Sequence, residues 1–177
     1  MNRSQRTSIA KQTLEIIEQG YYITDAGRRV SIKQEVESSV ALAKCYKPSD
    51  FENLSDQLTL DTTENQTVFN LTNTTTLAEA GNLLNKQNGN VTCLNFASAK
   101  NPGGGFLNGS QAQEESLARS STLYPTLLKN EIYYTINRQN RSSLYTDHMI
   151  YSPKVLVAGT TDRNLSGHST CGECRRG

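Results

Sequence analysis

The amino-acid sequence predicts an α/β sandwich whose sheet is partly parallel. Three observations carry that prediction. Across residues 68–120 the periodicities follow the order strand, helix, strand, loop, helix. The apolar run Val91–Ala97 has the length and composition of a buried strand. That run leads straight into three glycines and a helix start, and open α/β sheets bind ligands at such strand ends.

Each element has its own signal. Residues 4–19 read as a helix, because Ile9, Thr13, Ile16 and Ile17 recur at helical spacing and Gly20 offers a stop. Tyr21–Ile23 and Val30–Ile32 flank the turn sequence Asp25-Ala26-Gly27, which predicts a hairpin. Ser31 and Gln34 form a capping box for a second helix with the stripe Val36, Val40 and Ala43. Pro48 closes that unit, and residues 49–65 are expected to be an irregular surface loop. Val68–Leu71 is expected to be a short strand. Thr76 and Glu79 cap the next helix, lined by Leu77, Ala80, Leu83 and Leu84 and ended by Asn88-Gly89. After the glycine loop, one helix starts near Ala112, and another is expected over Leu127–Ile136, after Pro125. Met149–Tyr151 and Val155–Ala158 read as strands. Residues 160–177 are polar and aperiodic and are expected to be a disordered tail.

Composition narrows the function. A chain of 177 residues can bury one real core. The 18 Lys and Arg balance 17 Asp and Glu, which argues against binding a membrane or nucleic acid by bulk charge. A local basic pocket remains compatible with that balance. Met1–Lys11 lacks the apolar core of a signal peptide, and no apolar run approaches the roughly 20 residues of a bilayer span. The expectation is a soluble, cytoplasmic protein, or a nuclear one in a eukaryote. Four scattered cysteines read as reduced thiols. Triplets such as Asn70-Leu71-Thr72 read as chance matches in an Asn- and Thr-rich chain.

The chemistry concentrates in Leu94-Asn95-Phe96-Ala97-Ser98-Ala99-Lys100-Asn101-Pro102-Gly103-Gly104-Gly105-Phe106. Three glycines permit positive φ and leave backbone N–H groups uncovered, so a strand-loop-helix of this kind can cradle a ribose or a diphosphate. A flexible turn is the plain alternative. The loop is neither a P-loop nor a dinucleotide fingerprint, because both spacings are absent. Ser110 is placed to cap the following helix, with Gln113 as its capping-box partner. Glu114 and Glu115 then fall in the first turn, facing the loop. Acidic residues also favour helix N-termini for purely structural reasons.

Gly103-Gly104-Gly105, seven residues, and Gln113-Glu114-Glu115 together resemble the catalytic motif of poly(ADP-ribose) glycohydrolases. "LEIIEQGYYI", "LNFASAKNPGGGF", "QEESLARSSTLYPTL" and "DHMIYSP" resemble the bacterial and fungal branch of that family, over residues 5–153. The resemblance implies a macrodomain-like three-layer sandwich with a mixed sheet, incomplete at its C-terminus. It places a partial domain over residues 1–159, with an N-terminal helical extension. It implies cleavage of ribose–ribose O-glycosidic bonds, with Glu115 as general acid and base and Glu114 on a ribose hydroxyl. Asn101 would touch the same ribose, and Gly103, Gly104 and Gly105 would approach ribose and diphosphate. Gln113 would bind substrate or serve the helix cap. Asn95 and Phe106 are weaker substrate candidates with a structural alternative. The implied partner is ADP-ribose or its polymer on modified proteins, without cofactor or metal. The helix N-terminus lowers a carboxyl pKa, whereas burial, the neighbouring carboxylate and a substrate diphosphate raise it. A general acid needs the second influence to prevail.

Other candidates carry plainer readings. His168, Cys171 and Cys174 offer three zinc ligands where a structural site uses four. Cys45 and Cys93 read as core thiols, His148 as a turn residue, and Tyr133 and Tyr134 as packing. Lys100 either steers a diphosphate or is simply solvated. The family's second glycine-rich loop and its further strands have no counterpart here, and residues after Pro153 resemble a truncated, frame-shifted or alternatively ended product. A non-catalytic ADP-ribose-binding module, or a fragment that folds only with a partner supplying the missing strands, is therefore the alternative to an enzyme.

Overall fold

A computed structural model describes residues 1–57, 66–86, 90–142, 144–158 and 169–171. The chain opens with α1 (Arg3–Gln19), capped by Asn2, whose side chain accepts from Gln5 N–H while the Gln5 side chain accepts from Asn2 N–H. Gly20, at φ 72°, ends it in the left-handed conformation that a glycine adopts without strain. The predicted hairpin follows as β1 (Tyr21–Ile23) and β2 (Arg29–Ser31), with Tyr22 opposite Val30. Next comes α2 (Lys33–Leu42).

Several local expectations need correction. The cap of α2 is Ile32, without a side-chain hydrogen bond, so Ser31 and Gln34 form no capping box. Ser31 instead belongs to the hairpin ladder. The buried face of α1 centres on fully buried Ala10, and Ile9 is exposed. A small side chain there lets the helix approach the turn Phe106–Asn108 closely. Pro48 does not close a unit. It starts α3 (Pro48–Gln57), where a residue without N–H is tolerated in the first turn, and Asp50 accepts from Lys47 N–H. Before it, β3 (Lys44–Tyr46) pairs antiparallel with β4 (Met149–Tyr151), a partnership across about a hundred residues.

Helix α4 (Thr76–Lys86) starts one residue earlier than expected, with Thr76 inside the helix and not at its cap. Thr75 supplies the capping oxygen to Ala78 N–H, and Glu79 bonds Asn82 instead. The Asn88-Gly89 stop lies outside the described residues. After the glycine loop come α5 (Gln113–Arg119), α6 (Leu123–Lys129) and α7 (Glu131–Gln139). One helix was expected over Leu127–Ile136, but Asn130 divides the region. Its backbone leaves helical geometry, and its amide donates to Thr126 C=O. Pro125 sits within the first turn of α6.

The strand β5 (Val155–Val157) lies between two neighbours. Residues 120–122 bond one edge, through Thr122 N–H to Leu156 C=O at 2.9 Å and Ala158 N–H to Ser120 C=O at 2.7 Å. On the other edge is β6 (Ser169–Cys171), antiparallel, within the stretch expected to be a disordered tail. The rest of that stretch lies outside the described residues.

Two packed clusters hold these elements. Leu77, Leu117, Leu123, Leu127, Tyr133, Tyr134 and Val155 form one, with Cys45 and Ile150 against it. Ala10, Phe106 and Ala118 form the other, joined by Leu14 and Tyr124. Arginines seam α1 to the loop beyond the glycines. Arg3 donates to Asn108 C=O, and Arg6 to Gly109 C=O and Gln111 Oε1.

The α/β class holds, but among the described residues every ladder is antiparallel and two-stranded. The expected strands Val68–Leu71 and Val91–Ala97 belong to no ladder. A strand becomes part of a sheet only when a neighbour takes its backbone groups. No described helix is long and apolar enough to cross a membrane.

Candidate functional site

Ser98 leads segment 90–98 into the glycine loop. Its Oγ accepts from Lys100 N–H at 3.3 Å and Asn101 N–H at 3.2 Å, the local bonding that makes serine a turn former. The loop then coils on itself. Gly104 N–H donates to Asn101 C=O at 3.0 Å, and Phe106 N–H to Gly103 C=O at 3.3 Å.

Each glycine is needed for a different neighbour. Gly103 has φ 68°, and a Cβ there would stand 2.9 Å from the Phe106 ring. At Gly104, with φ 58°, a Cβ would stand 2.5 Å from Glu115 Oε1 and 3.3 Å from Glu114 Oε2. Both carboxylates therefore converge on Gly104. A Cβ on Gly105 would strike Ser110 Oγ at 2.5 Å. Gly105 N–H donates to Glu115 Oε1 at 3.0 Å. The N–H groups of Gly104 and Gly105 are thus occupied within the protein, contrary to the expectation that the triplet leaves them uncovered.

The two carboxylates sit in different surroundings. Glu114 is buried, and its Oε2 accepts from Ser98 N–H at 2.7 Å. Its Oε1 is buried without a hydrogen-bond partner among the described residues, as is Asn95 Oδ1. Burial raises the Glu114 pKa above the ordinary carboxyl value, and the Glu115 charge adds to that. The Ser98 N–H, the Asn95 amide and the Gly103 N–H pull the other way. Glu115 is half-buried on the loop side.

The remaining predicted residues divide clearly. Gln113 does not cap α5, whose N-cap is Ala112 without a side-chain bond. Its Oε1 accepts from Phe96 N–H at 2.9 Å and its Nε2 donates to Leu94 C=O at 2.6 Å. Ser110 is not the cap either. Its C=O accepts from Arg119, a buried guanidinium whose pKa is lowered by desolvation and by Arg6. Phe106 is fully buried, edge-on to Tyr124 at 4.9 Å, and serves as the floor under Gly103. Asn101 is exposed at the loop rim. Lys100 is exposed, and its C=O accepts from Arg138, which also pairs with Glu131.

Tyr134 is fully buried and Tyr133 nearly so, with rings edge-on at 5.0 Å, which bears out a packing role. Burial raises both phenol pKa values, Tyr134 to well above the ordinary range. Cys45 packs against the larger core, Cys93 is half-buried, and His148 Nδ1 meets Thr146 Oγ1 in a local turn. No group of three metal-binding side chains exists among the described residues, and the side chains of His168, Cys171 and Cys174 lie outside them. A separate cleft, lined by Ile16, Ile17, Tyr22, Ile32, Leu156 and Val157 among others, does not reach the glutamates. Sequence reasoning overlooked Ser98 and Tyr124 as site-forming residues. A serine opening Ser-Ala-Lys-Asn-Pro-Gly was the available signal for the first.

Fold and site together define a class: an α/β domain in which a glycine loop meets two carboxylates on the first turn of a helix. The family model "microbial-type PARG, catalytic domain" matches residues 10–159, and the chain belongs to that family. It is also similar to a crystal structure of poly(ADP-ribose) glycohydrolase from Thermomonospora curvata. Identity is 40%, the TM-score is 0.88, and the match covers 94% of this chain and 61% of that one. The same enzyme bound to the inhibitor ADP-HPD matches at 40% identity and TM-score 0.84, over 94% of this chain and 60% of that one. Poly(ADP-ribose) glycohydrolase from Deinococcus radiodurans in complex with ADP-ribose matches at 41% identity and TM-score 0.67. That match covers 76% of this chain and 55% of that one. The chain therefore spans 55–61% of the length of these structures. No curated protein sequence matches it significantly.

Proposed function

We propose that the chain is a poly(ADP-ribose) glycohydrolase-type hydrolase that cleaves ribose–ribose O-glycosidic bonds at the glycine loop. The observation that carries this reading is the convergence of Glu114 and Glu115 on Gly104, with Gly105 N–H holding Glu115. Glycoside cleavage needs a proton for the leaving oxygen and then a base for water, and one carboxyl can supply both in turn. Glu115 is assigned that role. The more deeply buried Glu114, fixed by Ser98 N–H, is assigned to a ribose hydroxyl. Asn101 at the rim is assigned to the same ribose, and Gly103 to Gly105 are assigned to close backbone approach. The domain is proposed to run to about residue 159, and the substrate to be ADP-ribose polymer on modified proteins, within the cytoplasm.

A second reading is a module that binds ADP-ribose without turnover. It is favoured by the N–H groups of Gly104 and Gly105, which are already bonded within the protein. Calorimetric titration with ADP-ribose, run beside a polymer hydrolysis assay, separates the two. The enzyme reading expects turnover that falls by about 10²–10⁴-fold in Glu115→Gln, the usual worth of a general acid and base. Binding with no turnover in the natural sequence selects the second reading, and no binding rejects both.

A further inference from the structure

The Gln113 carboxamide makes a pattern that ordinary side chains rarely make. It accepts from Phe96 N–H and donates to Leu94 C=O, and these two groups flank Asn95. In a parallel ladder, one residue accepts from the N–H just after its partner and donates to the C=O just before it. Gln113 thus presents opposite Asn95 the donor and acceptor of a neighbouring parallel strand. Two residues further along the same edge, Glu114 Oε2 takes Ser98 N–H at 2.7 Å. Thr76 Oγ1, at 3.4 Å, accepts from the same Gln113 amide and ties in the start of α4.

We propose that Gln113 is a positioning residue, a one-residue surrogate strand that fixes segment 94–98 and thereby aims the Glu114 carboxylate through Ser98. It replaces the role of substrate contact or helix cap. The proposal rests on the glycohydrolase reading only in what Glu114 is aimed at. Residue type follows from the geometry. Glutamate keeps the acceptor but sets a carboxylate against the Leu94 carbonyl, and asparagine falls one methylene short.

Amide hydrogen exchange by NMR on the full chain tests this without requiring activity. Phe96 and Ser98 N–H should exchange at least about tenfold more slowly than Phe69 N–H, which lies in the other segment outside any ladder. Gln113→Ala should abolish protection at Phe96 and reduce it at Ser98, while α1 and α7 keep theirs. Gln113→Glu should restore part of the Phe96 protection, because its acceptor remains. A helix cap would instead expose Ser116 and Leu117 at the start of α5 and leave Phe96 unchanged, which overturns the proposal. Equal exchange at Phe96 and Phe69 in the natural sequence overturns it even if Gln113→Ala does not fold. Where polymer turnover is measured, a displacement of Glu114 by about 1 Å should lower kcat by about a hundredfold. Absence of turnover in the natural sequence counts against the glycohydrolase reading alone, because the exchange pattern is read independently.

Discussion

Segments 66–71 and 90–98 both lie outside any ladder, and both hold apolar side chains in solvent: Phe69 and Leu71 in the first, Leu94 and Phe96 in the second. Their anchoring differs. The second is bonded along one edge by Gln113 and Glu114, two side chains of one helix turn. Among the described residues the first has no such attachment. A segment outside any ladder must take its position from another partner, and here a helix N-terminus supplies one. Segment 90–98 is therefore built into the site, because the residues that anchor it also carry the carboxylates. Segment 66–71 contributes an apolar strip with nothing described against it.

The sharpest way to break the site's foundation is Phe106→Ala. Phe106 is fully buried, supports Gly103 and contacts Tyr124. Removing a buried phenylalanine ring costs about 3–5 kcal/mol, so denaturant unfolding should show a loss of that size. The same variant should weaken ADP-ribose binding, because the loop loses its floor. A loss below about 1 kcal/mol would mean that the loop rests on something else.

Legibility in the sequence followed the range of the interaction. Helix α1, the Gly20 stop and the hairpin announce themselves within a few residues, and all three form. The Gly103–Gly105 loop and the α5 glutamates were legible because glycine and acidic first-turn residues have local causes. The pairing of Lys44–Tyr46 with Met149–Tyr151 left no local mark. The capping expectations at Ser31 and Ser110 failed because the ladder claims Ser31, and because the cap of α5 is Ala112, two residues after Ser110. The run Val91–Ala97 predicts a sheet strand, yet it says nothing of what lies alongside. A glutamine side chain standing in for a strand is visible only in three dimensions.

Glu114→Gln sharpens the comparison through pH. Burial raises the folded-state pKa of Glu114, so the folded protein holds that proton more tightly than the unfolded chain. Ionisation therefore costs stability. The cost is absent below the ordinary carboxyl range, grows as pH rises toward the raised folded value, and is constant above it. Glutamine keeps an acceptor for Ser98 N–H and removes the charge. Thermal melts should show Glu114→Gln more stable at neutral pH, with Tm higher by about 2–4 °C per kcal/mol regained. The gain should vanish near pH 4, about where an unfolded glutamate titrates. A gain independent of pH would break the link between burial and the anchoring of segment 90–98.

The smallest expected effect belongs to the unanchored segment. Phe69 is 92% exposed and Leu71 fully so, which leaves nothing for either side chain to lose on substitution. The double variant Phe69→Ser and Leu71→Ser should change unfolding free energy by no more than about 0.5 kcal/mol, the usual range for surface sites. Its effect should appear in solution behaviour instead, since contiguous exposed apolar side chains drive self-association. Light scattering against concentration should show less association in the variant than in the natural sequence. A clear loss of stability would mean that the strip is covered in solution, placing segment 66–71 in a packed layer like that of Phe106.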